Sequence, residues 1–265
     1  MQHLFTPEGD AALRAVVCRR PLLAFDFDGT LTPIVARPDD ARISAAVAKR
    51  LAALAARMPV AIVTGRAIAD VRQRLGFEPR FVVGNHGAED ELDATGAACR
   101  AAALDGLRAA LRAGNVSLAA AGVWVEDKGQ SIALHYRLAR EHGSALALIQ
   151  DVLAPQRGYL HVFGGKMVVN AVQAGAPDKA QAVHTLVARC GAAAALFAGD
   201  DANDEPVFAS APPHWLTLRV GRDEPSSRAR FFVDGPQEMA ILLRRIQTLH
   251  DGRERDHRRG GAPSP

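Results

Sequence analysis

The chain has 265 residues, of which 48% are hydrophobic, 23% charged and only 5% aromatic, enough for one large or two modest globular domains with aliphatic cores. The formal charge of +3 and the scattered arginines lack the clustered basic face that a nucleic-acid binder needs. No window reaches the length of a membrane span, the N-terminus carries Glu8 and Asp10 in place of an apolar leader, and the three cysteines lie far apart at Cys18, Cys99 and Cys190.

Apolar spacing predicts a helix over 6–19, stopped by Pro21. Residues 22–27, Leu-Leu-Ala-Phe-Asp-Phe, form an apolar run ending in an acid, as a buried parallel strand does when a functional group sits at its carboxyl end. A helix over 42–57, a strand over 59–63 ending at Thr64-Gly65-Arg66, a helix over 67–75 and a strand over 80–83 ending at Gly84-Asn85-His86-Gly87 follow. Alternation of this kind predicts a right-handed parallel sheet. The pattern then changes to a helix over 100–113, a hairpin from 122–126 and 131–137, a helix over 143–153, and strands over 159–163 and 167–172. The parallel pattern resumes with a helix over 178–190 and a strand over 194–198, which ends in Gly199-Asp200-Asp201.

The expected fold is therefore α/β. It has a Rossmann-like parallel sheet core built from residues 1–103 and 173–250, and a smaller inserted α+β cap from 104–172. The polar, Gly- and Pro-containing residues 251–265 are expected to be a disordered tail. Isolated thiols fit a reducing compartment, so the expectation is a cytoplasmic monomer without nucleic-acid or membrane partners. Ligands of such sheets bind beyond the carboxyl ends of the strands, where all the core motifs fall.

Asp26-Phe27-Asp28-Gly29-Thr30-Leu31-Thr32 carries the chemistry. On a strand, alternation would point Asp26 and Asp28 to one side. Two carboxylates so close repel unless a cation or shared proton relieves them. Mg²⁺, which prefers hard oxygen ligands alongside phosphate and water, would do so on Asp26. Asp26 is then a candidate nucleophile for phosphorus, and Asp28 a candidate acid and base for the leaving alcohol and the attacking water. Gly29 gives the backbone room to approach a phosphate.

These residues match the first signature of the haloacid dehalogenase-like superfamily of phosphotransferases, and the resemblance extends over most of the chain. It implies that Thr64 holds the phosphate. It implies that Asp200 and Asp204, in Gly199-Asp200-Asp201-Ala202-Asn203-Asp204-Glu205, bind Mg²⁺ together with Asp26 and Asp28. Asp201 is the alternative acid or a substrate contact. A lysine should neutralise Asp26 and the phosphate; Lys179 is the better match, and Lys166 is the rival because Ala180 stands where relatives often have Gly.

Four further segments resemble the trehalose-6-phosphate phosphatase family. They are Gly84-Asn85-His86-Gly87-Ala88-Glu89, Glu126-Asp127-Lys128-Gly129, His135-Tyr136-Arg137 and Gly165-Lys166-Met167-Val168-Val169. The resemblance implies a phosphatase of trehalose biosynthesis acting through an aspartyl-phosphate. The partner it implies is a small sugar phosphate, contacted by Gly29, Thr64, Gly65, Arg66, His86, Glu89, Glu126, Lys128, Lys166, Asn170 and Asp201. His135 and Arg137 are expected only to brace the hairpin. Asn170 departs from the family, which commonly has Glu there, and an amide accepts less strongly than a carboxylate. Sucrose- and mannosylglycerate-type phosphatases, or a sugar phosphomutase, are the alternatives.

Overall fold

The computed structural model describes residues 1–35, 37–222 and 224–260, with side chains through 253. The chain divides into two compact units. The first comprises Met1–Thr64, Ala69–Val82 and Lys179–Pro265, and the second Gly65–Ile68 and Val83–Asp178.

In the first unit β1 (Gln2–His3) precedes α1 (Pro7–Val17). Thr6 caps that helix by accepting from the Gly9 amide, Pro7 starts it, and Leu13, Val16 and Val17 are buried along one side. β2 (Leu22–Phe25) has four consecutive buried apolar residues, the pattern of a strand covered on both faces. α2 (Ala45–Ala55) is capped by Ser44 and buries Val47, Ala48, Leu51 and Leu54. β3 (Val60–Val63), α3 (Ile68–Leu75) and β4 (Phe81–Gly84) complete this half of the sheet.

The chain then enters the second unit through β5 (Glu89–Asp90), which runs antiparallel to the end of β4, pairing Gly84 with Glu89. Three short helices follow, α4 (Ala94–Ala103), α5 (Asp105–Ala113) and α6 (Asn115–Ala120). β6 (Trp124–Asp127), β7 (Ser131–His135), α7 (His142–Leu153), β8 (Leu160–Gly165) and β9 (Val168–Gln173) come next. The four strands form an antiparallel sheet in the order β6-β7-β9-β8. Alternation splits the sheet into two faces. Ile132, Leu134, Leu160, Val169 and Ala171 pack with Leu107, Leu111, Leu118, Ile149 and Leu153 of the helices into one core. The opposite face carries Trp124, Glu126, His135, Asn170 and Phe163.

Back in the first unit are α8 (Lys179–Cys190), β10 (Ala195–Gly199), α9 (Glu205–Ser210), β11 (Leu216–Val220), β12 (Phe231–Val233) and α10 (Met239–Gly260). Strand order is β1-β12-β11-β10-β2-β3-β4, and each register-defined pair from β1 to β3 is parallel. From β2 the chain proceeds outward through β3 and β4 on one side, and later through β10, β11 and β12 on the other. The topological switch point, where ligands of open α/β sheets bind, therefore lies between β2 and β10.

Several boundaries differ from expectation. The first strand stops at Phe25, so Asp26 and Asp28 lie beyond it, and the alternation argument for their side chains does not apply. The expected helix over 100–113 is broken, because Leu104 and Gly114 end successive helices with near-zero ψ. The second unit starts near 83 rather than 104, since the turn after β4 pairs with β5 and Glu89 accepts from the Ile68 amide at 2.9 Å. The tail expected to be disordered from 251 is helical to Gly260. Its first residues are anchored: His250 is buried, Asp251 pairs with Arg57, and Arg253 donates to the Cys18 carbonyl. Residues 261–265 lie outside the described residues.

Arg108 on α5 holds the β6–β7 hairpin through Asp127, at 2.7 and 3.1 Å. The guanidinium lowers the Asp127 carboxyl below its ordinary value of 3.8. A lowered carboxyl adds stability that is present above the unfolded value and is lost as pH falls through the folded one. Asp127→Asn should therefore lower the melting temperature at pH 7 by about one to two degrees, a surface-pair effect. In melts taken at successive pH values, that difference should close as pH drops below 3.8.

Candidate active site

Parallel pairing of β2 with β10 sets Phe25 opposite Ala198, and the Asp26 amide donates to the Ala198 carbonyl at 2.9 Å. The two strands thus deliver Asp26 and Asp200 to adjacent ends. Asp204 follows on the short turn 202–204 that leads into α9. Carboxylate oxygens of Asp26, Asp200 and Asp204 all lie within 4.8 Å of one another, and the three residues are buried. Lys179, at the first turn of α8 and 3% exposed, places Nζ 3.1 Å from Asp26 Oδ1 and 2.8 Å from Asp204 Oδ1. Thr30 Oγ1, fully buried, donates to Asp200 Oδ1 at 3.4 Å.

Two glycines make space for these acids. Gly29 has φ of 78°, and a Cβ on it would lie 2.1 Å from Asp200 Oδ2. A Cβ on Gly199 would lie 2.2 Å from Asp204 Cγ. Close approach, more than any turn, is why each position is glycine.

Burial pushes the Asp26 carboxyl well above its ordinary value. Lys179 opposes the shift, while Asp204, Asp200 and Asp28 add to it. Burial alone would lower the Lys179 ammonium, but Asp204 and Asp26 raise it well above the usual lysine range. With all three carboxylates ionised, one ammonium would leave two negative charges in excess. Buried charge of that size needs a partner, and an all-oxygen, all-acid donor set suits a hard divalent cation such as Mg²⁺. The residues present fit that ion.

The remaining expected residues fall as follows. Asp28 is half-exposed, lies outside the three-acid cluster, and bridges to Thr32. Thr64 is buried immediately after β3, one residue beyond the level of Asp26. Of the two lysine candidates, Lys179 touches Asp26; Lys166 is exposed in the turn between β8 and β9. Asp201 is turned to local work: its Oδ1 accepts from the Ala202 amide at 2.8 Å, and its own amide donates to Asp204 Oδ2 at 2.9 Å. It thereby fixes Asp204 as a cap residue does.

In the second unit, Lys128 Nζ donates to the Gly65 carbonyl at 3.0 Å and lies 3.6 Å from Glu126 Oε2. The same oxygen meets His135 Nε2 at 2.9 Å. Burial would raise the Glu126 carboxyl, but His135, Lys128 and Arg66 together hold it below its ordinary value, so it stays an acceptor. Register places Glu126, Ala133, Asn170 and Phe163 opposite one another in one row across the sheet, with Asn170 buried. Glu89 accepts from the Asn85 side chain at 2.8 Å as well as from Ile68. His86 sits at φ of 60°, its ring edge-on to Phe163 at 5.0 Å, so close to Gly65 that a Cβ there would lie 2.3 Å from the imidazole Cε1.

Some contributors were not singled out from sequence. Thr30 orients Asp200. Asn85 is fully buried at φ of 50° and joins three segments: it donates to Glu89 and to the Lys128 carbonyl at 3.3 Å, and accepts from Ser131 Oγ at 2.5 Å. His135, expected only to brace the hairpin, holds Glu126 directly. The signal for Asn85 was its place between glycines at a strand end, where αL backbone is favoured.

A switch-point cluster of three acids and one lysine, on a parallel sheet interrupted by an α+β unit, defines the haloacid dehalogenase-like fold. The trehalose-phosphatase family model matches residues 24–236, and the chain belongs to that family. It is 32% identical over 262 residues to a trehalose-phosphate phosphatase of Mycobacterium ulcerans, covering 93% of this chain and 65% of that protein. The chain thus spans a little under two thirds of that relative's length. Its structure resembles the C-terminal domain of C. albicans trehalose-6-phosphate phosphatase, with a TM-score of 0.75, 20% identity, and coverage of 91% and 97% of the two chains. A sucrose-phosphatase from Synechocystis superposes with a TM-score of 0.56 at 16% identity, covering 87% of this chain and 98% of that one.

Lys179→Met should cost about 3–5 kcal/mol of stability in denaturant titration without added metal, because two buried carboxylates lose their counter-ion. Adding Asp204→Asn to that variant should recover part of the loss. A double variant as unstable as the sum of the two single ones would show that the groups do not interact.

Proposed function

We propose that the chain hydrolyses trehalose 6-phosphate to trehalose and inorganic phosphate, in trehalose biosynthesis, through an aspartyl-phosphate on Asp26. The observation that carries this reading is Lys179 held between Asp26 and Asp204, with Asp200 alongside. It supports Asp26 as the nucleophile, Lys179 as its neutralising cation, and Asp200 and Asp204 as two more hard ligands.

Asp26 attacks phosphorus, an O–P bond forms, and the bond from phosphorus to the sugar oxygen breaks. Asp28, half-exposed and next but one in the chain, donates its proton to the departing sugar oxygen. Water then attacks phosphorus, Asp28 takes its proton, and the bond to Asp26 breaks to free phosphate. Thr64 donates its hydroxyl to a phosphate oxygen, and Lys179 offsets negative charge in both steps. Asp26, Asp200 and Asp204 would hold Mg²⁺, which supplies positive charge against the phosphoryl oxygens when bound.

In the second unit, Glu126 is the acceptor for sugar hydroxyls, with Lys128, Asn170, His86 and Glu89 as its neighbours in recognition. Its lowered carboxyl, kept ionised by His135 and Lys128, supports that role. Gly65 and Arg66 belong with them: Lys128 is tied to Gly65, and Arg66 lowers the Glu126 carboxyl. The compartment we favour is the cytoplasm and the state a monomer. The three free thiols support the compartment, and no helix among the described residues is long and apolar enough to cross a membrane.

Phosphate release from trehalose 6-phosphate should require Mg²⁺ and stop with chelator. Asp26→Asn should slow it at least about a thousandfold with the fold retained by circular dichroism. Near-normal turnover in that variant would remove Asp26 as nucleophile. Phosphate that stays on sugar would point to a mutase, and faster release from sucrose 6-phosphate to another disaccharide specificity.

A further inference from the structure

Trp124 is one of two tryptophans, and the two are in opposite situations. Trp215 is 3% exposed, whereas Trp124 is 55% exposed on β6. A large aromatic at that exposure is normally free to rotate, but this one is held. Its indole stacks on the His135 imidazole, with centroids 4.8 Å apart and planes inclined by 29°. His135 is in turn fixed by Nε2 on Glu126 Oε2 at 2.9 Å, and Glu126 lies 3.6 Å from Lys128 Nζ. The stack occupies one face of the indole, and more than half of the residue remains exposed.

Alternation puts Trp124 and Glu126 on the same face of the sheet, opposite the apolar core, and Lys128, just past the strand, brings its Nζ within 3.6 Å of Glu126. They form a line with a direction. Lys128 is tied to the carbonyl of Gly65, the residue that follows Thr64 in the chain. Glu126 comes next, and Trp124 is farthest, about 13 Å from Lys128 along the strand at roughly 3.3 Å per residue. Two pyranose rings joined through one oxygen span a comparable length. In the proposed function, on which this step rests, Glu126 and Lys128 hold the hydroxyls of one ring. The other ring then reaches the level of Trp124. A pyranose presents a face of axial C–H groups, and those weakly positive hydrogens suit the negative face of an indole. Phe163, a row away and packed edge-on by His86, lends the same face a second aromatic group.

We propose that Trp124 is the stacking platform for the second ring of a disaccharide phosphate, the ring that Glu126 and Lys128 do not hold. It is thereby the residue that separates disaccharide from monosaccharide phosphates. The hydroxyl-binding acids hold one ring; the indole adds affinity only when a second ring is present.

The test compares phosphate release from trehalose 6-phosphate and glucose 6-phosphate in the unsubstituted chain, Trp124→Ala and Trp124→Phe, alongside tryptophan emission during titration with trehalose. In Trp124→Ala the ratio of kcat/KM for the disaccharide over the monosaccharide should fall about tenfold, carried by KM, and Trp124→Phe should keep it within about twofold. Trehalose should shift the emission of the unsubstituted chain and leave that of Trp124→Phe unchanged, since Trp215 is buried. A ratio unchanged in Trp124→Ala, with trehalose 6-phosphate still hydrolysed by the unsubstituted chain, would overturn the platform and leave the phosphatase reading standing. An emission shift with trehalose in a chain that releases no phosphate from trehalose 6-phosphate would support the platform and overturn that reading.

Discussion

The first unit is organised around an ammonium enclosed by acids. Lys179 bridges Asp26 and Asp204 in a site where all four charged groups are almost completely buried. Buried like charges at this separation would repel strongly, and desolvation would drive the carboxyls toward protonation. The lysine reverses part of that, and the negative charge it leaves uncompensated suits a hard divalent cation. The electrostatic imbalance is thus already present in the folded chain.

Everything nearby serves to keep that imbalance in place. The parallel register of β2 and β10 puts two acids at neighbouring strand ends. Gly29 and Gly199 give up their side chains so that Asp200 and Asp204 can approach the backbone. Thr30 holds Asp200 from one side, and Asp201, at the head of the turn before α9, holds Asp204 from the other. Such fixed dipoles leave the acid cluster little freedom to rearrange.

The second unit follows a different logic. Its sheet buries one face in a purely aliphatic core and turns the other into a polar and aromatic surface. Along that surface the ionised state of Glu126 depends on His135 and Lys128, and the posture of His135 depends on Trp124. Asn85 links the turn after β4 to the hairpin through hydrogen bonds of its side chain. Rigid polar networks of this kind are costly to leave half-satisfied, which favours a single arrangement of Glu126, His135 and Lys128.

Sequence by itself determined the parallel alternation, the interruption by an α+β segment, and the acids at strand ends, because apolar runs of four or five residues are dictated by burial on both faces. It also determined the residue types of the chemistry, since Asp-x-Asp-Gly-Thr and a cluster of acids after a second strand are local patterns. It did not determine that Asp28 stands apart from the cluster, because the strand ends at Phe25 and alternation lapses one residue later. It favoured Lys179 over Lys166 only by resemblance; the packing of α8 against the sheet is what brings Lys179 onto Asp26. The role of His135 and the capping work of Asp201 were invisible for the same reason. A hydrogen bond between residues nine apart, or a side chain folded back on its own turn, depends on register and backbone angles that no one-dimensional pattern encodes.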